Sequence, residues 1–364
     1  RKEAAEDARR IAHDLLETAA RRYAREGFSF KPSPELEGPI VDSFAYELTP
    51  DQSKAIADVL SDMEAGKPMD RLVCGDVGFG KTEVAVRAAA RAVANGKQVA
   101  VVAPTTILAM QHFRNLESRF EPVGFRVALF SRMVGSRELA TDRKLLREGG
   151  IDIAVGTHKL LNMARDFKDV GLLIVDEEQL FGVLDKEKIK KLKAEIDVLT
   201  LSATPIPRTL ESSVVGIRDI SLINTPPVGR YPIRTFLMPF DEEQLARAIQ
   251  AELDRQGQVY FVHNRILDID SRLALLQRLF PKARIAVAHG QLRSEVLEQI
   301  MLDFYEGRYD ILLSTTIIEA GLDFPNVNTI IVDEGERLGL AQLYQLRGRV
   351  GRAQRHAYAY IFYS

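Results

Sequence analysis

Arg71 to Val93 reads RLVCGDVGFGKTEVAVRAAARAV. Within it, Gly75 to Thr82 matches the pattern G-x-x-x-x-G-K-[ST] in full. An apolar run precedes the match and a helix-forming run follows it, which is the strand-loop-helix context the pattern requires. Glycines let successive backbone N–H groups turn toward phosphate oxygens, at a helix N-terminus whose dipole favours anions. Gly75, Gly78 and Gly80 are therefore expected to line a nucleotide. Lys81 is expected to reach the β and γ phosphates, and the Thr82 hydroxyl to ligate Mg²⁺.

A second stretch completes that chemistry. LLIVDEEQ, Leu172 to Gln179, is an apolar strand ending in acids, which places them at the carboxyl edge of a sheet beside the phosphate loop. Asp176 suits Mg²⁺, and Glu177 suits the base or positioner of an attacking water. Together the two stretches imply nucleotide hydrolysis as well as binding. Upstream, Thr49-Pro50-Asp51-Gln52 opens a helix. Taken alone, Gln52 is either a solvated first-turn residue or a partner for an adenine edge, to which its amide offers both donor and acceptor.

Working outward, apolar runs alternate with helical stretches. RLVCG, QVAVVAP, RVALF, IDIAVGT, LLIVDEE and VLTLSAT form one series, and RTFLMPF, QVYFVHN, RIAVAHG, YDILLSTT, TIIVDE and HAYAYIFYS a second. This pattern predicts βαβ units and parallel sheets. TPPVGRYPI, with three prolines, is a candidate hinge between them. Before both, Ala8, Ile11, Ala12, Leu15, Leu16, Ala19 and Tyr23 recur at helical steps, with Gly27 as a stop. The expected division is a connector helix over 1–31, a first α/β domain over 32–224 and a second over 225–364. The halves share a topology class without a clear sequence repeat.

Bulk properties bound the partners. The chain has 364 residues, 46% hydrophobic, so it builds real cores. A net charge of −2 gives no overall nucleic-acid signal, so any basic track is local. Cys74 is the one cysteine, which excludes an intramolecular disulfide and a cysteine-cluster metal site and fits a reducing cytosol. No stretch approaches the roughly 18 apolar residues of a membrane span. RKEAAEDARR, at the start, is charged, lacks Met and reads as the start of an excised fragment. With 7% aromatic residues and no tryptophan, no base-stacking platform is evident.

The remaining motifs fall in a known order. APTTILAMQHF, GTHKL, DEEQ, LSAT, FVHNR, STTIIEAGLDFPN and QLRGRVGR resemble the superfamily 2 helicase and translocase motors from about Phe44 to the end. GDVGFGKTEVA, EEQLFGV, SATPIPRTL and GLAQLYQLRGRVGR narrow the resemblance to the branch of RecG and the transcription-repair coupling factors. Phe79 and the opening helix favour the coupling-factor side. Gln179 departs from the His expected of that branch. The resemblance implies two tandem RecA-like parallel-sheet domains with ATP in the interdomain cleft, preceded by a long connector helix.

It also assigns roles. Gln52 would read adenine and Gln179 would face the γ phosphate. Ser202 and Thr204 would couple ATP to DNA. Glu319, Gly321 and Asp323 would lie at the nucleotide edge of the second domain. Arg349 and Arg352 would be arginine fingers positioned by Gln345, with Arg347 a plain surface residue. An arginine in the transition-state field is worth about 10³–10⁵ in rate, against about 1 kcal/mol or less for a surface contact. Backbone contacts to double-stranded DNA would come from Pro104, Thr105, Thr106, Thr157, His158 and Lys159, and from Asn264, Arg265, His289, Gly290, Thr315 and Thr316. This list is poor in charge, which suits tracking along phosphates without reading bases.

The implied function is an ATP-dependent, Mg²⁺-dependent double-stranded DNA translocase motor in the bacterial, nucleoid-associated cytoplasm. It would act on stalled RNA polymerase through a domain not in this chain, with nucleotide-excision repair proteins as further partners. Fork remodelling of the RecG type is the alternative, and a nucleotide-dependent interaction switch a second. Twelve residues follow Arg352, whereas relatives carry a coupling helical hairpin after this point, so weak translocation by this chain alone is expected.

Overall fold

The computed structural model describes residue 20 and residues 24–203, 219–227, 233–315, 324, 326–351 and 356–364. It divides into two compact units, residues 1–228 and 229–364. Most of the connector helix, the middle of the proline-rich hinge, and Thr204, Thr316, Glu319, Gly321, Asp323 and Arg352 lie outside the described residues.

The first unit begins with helices α1 (Pro34–Asp42) and α2 (Pro50–Glu64), followed by β1 (Asp70–Gly75) and α3 (Lys81–Ala94). Then come β2 (Gln98–Val102), α4 (Thr106–Phe120), β3 (Val127–Phe130), α5 (Ser136–Glu148) and β4 (Ile153–Gly156). β5 (Val170–Asp176), α6 (Val183–Leu192), β6 (Asp197–Ser202) and β7 (Asp219–Ile223) complete it. The seven strands form one sheet in the order β3-β4-β2-β5-β6-β1-β7, with parallel pairing throughout. A parallel sheet covered on both faces needs apolar residues at consecutive positions. β2 and β6 are buried along their whole length, and β5 at all but its first residue.

The second unit runs β8 (Arg234–Pro239), α7 (Glu242–Asp254), β9 (Gln258–His263), α8 (Ile269–Leu279) and β10 (Ile285–Ala288). It continues through α9 (Ser294–Tyr305), β11 (Ile311–Ser314), β12 (Val327–Asp333), α10 (Leu340–Arg347) and β13 (Tyr358–Tyr363). Its six-stranded sheet has the order β10-β11-β9-β12-β13-β8, again all parallel. Numbered within each unit, both sheets follow the order 3-4-2-5-6-1, and the first adds β7 beside β1. The shared topology is therefore strand for strand. Leu245, Ile249, Val259, Phe261, Ile311, Leu313 and Phe362 knit one core in the second unit. Val102, Phe130, Ala154, Leu173, Val175 and Val198 do so in the first.

All twelve apolar runs read from the sequence are strands. β7 is additional. DISLI is short and only alternately buried, and its strand character comes from pairing with β1. Polar bonds fix this edge: Arg71 Nη1 donates to Ser221 Oγ at 2.9 Å, Ser221 Oγ donates to Asp58, and Asp51 accepts from the backbone of Asn224 and Thr225. On the other side, Arg91 is buried in α3 and bridges Glu37 of α1 at 2.7 Å and Glu64 of α2 at 2.6 Å. The Arg91–Glu37 pair is largely buried, and stranding one partner of a buried pair costs about 3–5 kcal/mol, so α1 is fastened to α3.

Asp197, 2% exposed at the start of β6, carries a liability. One carboxylate oxygen accepts from Met69 N at 2.9 Å, while the other has no hydrogen-bond partner. Burial pushes its pKa up to about 7 from 3.8, and the charge of Asp62 adds to the shift. The folded chain keeps this proton where the unfolded chain has lost it, so stability falls as pH rises between those two values. Asp197→Asn keeps the acceptor for Met69 and removes the charge. Thermal melts should show a stabilisation that grows from about pH 5 to about pH 8; a shift equal at both would contradict the assignment.

Candidate active site

The phosphate loop leaves β1 between β6 and β7. A Cβ at Gly75 would stand 3.0 Å from Ile223 O, a closer approach than most side chains make, so the edge strand favours glycine there. Gly78 and Gly80 have φ of 81° and 84°, the left-handed region in which glycine carries no steric penalty. Gly80 is also the residue before α3, so the turn aims the first free N–H groups of that helix at one point. Lys81 curls back over the turn, its Nζ donating to Gly75 O at 2.7 Å and Asp76 O at 3.1 Å. Thr82, next along the helix, is exposed.

Gln52 braces this turn. It is 2% exposed, so the solvated reading is set aside. Its Oε1 accepts from Thr49 N at 2.8 Å and its Nε2 donates to Phe79 O at 2.8 Å. Its own N–H donates to Thr49 Oγ1 at 3.2 Å, a reciprocal cap that starts α2.

The acids stand two strands away. Asp176 ends β5 and is buried. Glu177 follows in the left-handed region, φ 50° and ψ 54°, a conformation that costs a non-glycine residue about 1–3 kcal/mol and is typically retained where function requires it. Its N–H donates to Leu201 O at 2.9 Å, and its Oε1 accepts from Ala203 N at 2.9 Å. Gln179 Nε2 donates to the other carboxylate oxygen, and Ser202 Oγ donates to Gln179 Oε1 at 3.5 Å. The Gln that replaces the expected His thus links Glu177 to the SAT strand. Glu177 is 2% exposed. Burial raises its pKa above the usual range, and the charge of Asp176 adds to this. A carboxylate so placed is a stronger base than one in water.

One neighbour was not legible in the sequence. His112, buried on α4, sets Nε2 at 2.8 Å from Asp176 Oδ2. A single histidine on an apolar helix face carries no motif of its own. Only its contact with the end of β5 reveals it.

The expected DNA residues divide by exposure. Thr105 caps α4, its Oγ1 accepting from Leu108 N at 3.3 Å, and with Pro104 it is partly exposed, whereas the Thr106 side chain is buried. His158 and Lys159 are exposed and Thr157 is buried. In the second unit Asn264 and Gly290 are exposed, Arg265 and His289 are intermediate and Thr315 is buried. The Thr315 N–H already donates to Ala288 O at 3.2 Å.

Arg349, just beyond α10, is 8% exposed, so it is no surface patch. Arg347 instead lies 4.3 Å over the exposed Tyr344 ring. Gln345 falls within α10.

The second unit repeats the acid geometry. Asp333 ends β12 and Glu334 takes φ 52° and ψ 48°. There, however, Asp333 is 1% exposed and Oδ2 meets both His263 Nδ1 at 2.8 Å and Arg272 Nε at 2.7 Å. That carboxylate is neutralised inside the protein. The pair in the first unit is the one that can do chemistry.

Residues 49–213 match the DEAD/DEAH box helicase family, and residues 242–354 match the helicase conserved C-terminal domain. The chain is 50% identical over 353 residues to the transcription-repair-coupling factor of Bacillus subtilis strain 168, covering 97% of this chain and 30% of that protein. The corresponding protein of Staphylococcus epidermidis RP62A gives the same figures. The chain thus spans about 30% of the length of these relatives. Among solved structures, RecG bound to a three-way DNA junction superposes with a TM-score of 0.81 at 36% identity, over 96% of this chain and 48% of that one. Among the described residues, no helix is long and apolar enough to cross a membrane.

A pair of glycine substitutions tests the loop. A Cβ at Gly80 would lie 2.3 Å from Gln52 Nε2, whereas one at Gly96, also left-handed at φ 73°, would meet nothing within 4 Å. Both changes cost about 1 kcal/mol or more in backbone strain. Gly80→Ala alone should weaken binding of a fluorescent adenine nucleotide by about tenfold or more, since a 1.4 kcal/mol loss is tenfold. Equal affinities for the two variants would remove the brace from the account.

Proposed function

Because this chain belongs to the ATP-hydrolysing superfamily 2 helicase-type enzymes, in the branch of the transcription-repair coupling factors and RecG, we propose that it is the double-stranded DNA translocase motor of a transcription-repair coupling factor. The observation that carries this reading is the buried Glu177, held by Ala203 N and Gln179 beside a complete phosphate loop. A simple nucleotide switch has no need of so constrained a base.

In this reading Gly75, Gly78, Gly80 and Lys81 hold the ATP phosphates. Gln52 meets the adenine edge by exchanging its bond to Phe79 O for one to the base. Thr82 and Asp176 hold Mg²⁺. Their hard oxygens suit that ion, which takes one or two carboxylates and otherwise phosphate and water oxygens. When bound, the ion neutralises charge developing on the phosphates. Glu177 takes a proton from the attacking water or fixes its direction. Gln179 and Ser202 relay that state to the SAT strand. On the motifs alone, Arg349 and Arg352 are assigned as arginine fingers, with Gln345, Gly321 and Asp323 as further nucleotide residues.

The loops at Pro104–Thr106 and Thr157–Lys159, with Asn264, Arg265, His289, Gly290, Thr315 and Thr316, grip DNA backbone phosphates. Helix N-termini and loop amides do this without reading sequence. Cycles of ATP binding and hydrolysis convert alternating grip into steps along the duplex. RNA polymerase and excision-repair proteins are the proposed partners of the whole protein, in the bacterial cytoplasm at the nucleoid. Fork remodelling is the second reading, favoured by the 0.81 match to a RecG that is bound to a three-way junction.

Two experiments test this. Arg352→Ala and Arg349→Ala should each leave nucleotide affinity within about threefold while lowering kcat by about 10³ or more; turnover near the unmodified rate would refute the finger role. For the whole natural protein, ATP-driven displacement of a triplex-forming strand from duplex DNA is expected, together with release of stalled RNA polymerase. Intact ATPase without displacement would refute translocation, and regression of model forks without polymerase release would favour the second reading.

A further inference from the structure

We infer that His112 is a positioning residue for the metal-binding carboxylate, a role the motif pattern does not assign to it. The inference rests on the reading of Asp176 as a Mg²⁺ ligand and concerns what aims that ligand. His112 and Asp176 are 9% and 8% exposed, and Nε2 lies 2.8 Å from Oδ2. An ionised carboxylate only accepts hydrogen bonds, so the bond requires a proton on Nε2, carried by the Nε2–H tautomer or by the imidazolium. With Oδ2 held, rotation of the carboxylate is restrained. Hydrogen-bonded partners of ligating side chains commonly set their orientation and basicity.

Two features make this more than a satisfied core histidine. First, the donor comes from α4, whose capped N-terminus at Thr105 carries the loop proposed to hold a DNA phosphate. One rigid helix therefore spans from the DNA side to the nucleotide side. Second, the other sheet provides an internal contrast. Asp333 also sits 2.8 Å from a histidine, but Arg272 occupies the same oxygen and the whole group is sealed. The same strand-end aspartate is thus closed to a cation in one sheet and aimed by a neutral-capable donor in the other.

The test titrates MgCl₂ into the chain with N-methylanthraniloyl-ADP and follows fluorescence. H112F keeps ring volume and removes the donor, while H112Q keeps an N–H donor at a similar reach. H112F should need about tenfold more Mg²⁺ or above for half-saturation, with metal-free nucleotide affinity unchanged in EDTA. H112Q should titrate within about threefold of the unmodified chain, by the same scale. If H112F does not fold, H112N, whose donor falls short, takes its place. An unchanged Mg²⁺ midpoint for the donor-less variant overturns the inference. So does an H112Q chain as impaired as H112F, which would mark a packing role. Nucleotide binding by the unmodified chain that ignores Mg²⁺ would instead sink the underlying metal reading, and the inference with it.

Discussion

Parallel strands deliver their following loops to one edge of a sheet. Within each unit of this chain the described sheet is wholly parallel, so the chemistry gathers at the carboxyl edge. In the first unit that edge brings together the turn after β1, the acids after β5 and the SAT segment after β6. The arrangement holds only if the backbone can make the phosphate turn, and here three contacts enforce it. Ile223 on β7 crowds any side chain at Gly75, Gln52 fills the space beside Gly80, and Lys81 Nζ ties down the carbonyls of Gly75 and Asp76.

The two sheets share one strand order and one strand-end device, an aspartate followed by a left-handed glutamate. Their surroundings differ. In the second sheet Arg272 pairs with Asp333 and His263 Nδ1 lies 2.8 Å from the same oxygen, and the carboxylate becomes part of the core. In the first, Asp176 and Glu177 sit beside Lys81, Gln179 and Ala203 N, and burial makes Glu177 a stronger base. One geometry thus serves structure in one unit and chemistry in the other, by a change of neighbours.

Much of this was legible in the chain. The phosphate loop announces itself because the chemistry fixes residue types at fixed spacing. Most of the twelve strands are plain because buried parallel strands are apolar, whereas β8 is exposed at all but one residue and is held by its pairing with β13. What escaped depends on packing across long sequence separations. β7 is a strand through its pairing with β1, and DISLI alone does not say so. The brace at Gln52 needs Phe79, twenty-seven positions away, to be seen. His112 gains meaning only from Asp176, sixty-four positions on. Thr106 and Thr157 look like exposed loop hydroxyls in sequence, yet the strands and helices they join bury their side chains.

The account treats the first unit as a hydrolysis site centred on Glu177. The most direct measurement is steady-state ATP hydrolysis with duplex DNA by the unmodified chain and by Glu177→Gln, alongside nucleotide affinity for each. The substitution keeps the shape and removes the base. A loss of kcat of about 10²–10⁴ with affinity retained is predicted. Turnover by Glu177→Gln at the unmodified rate would contradict the account.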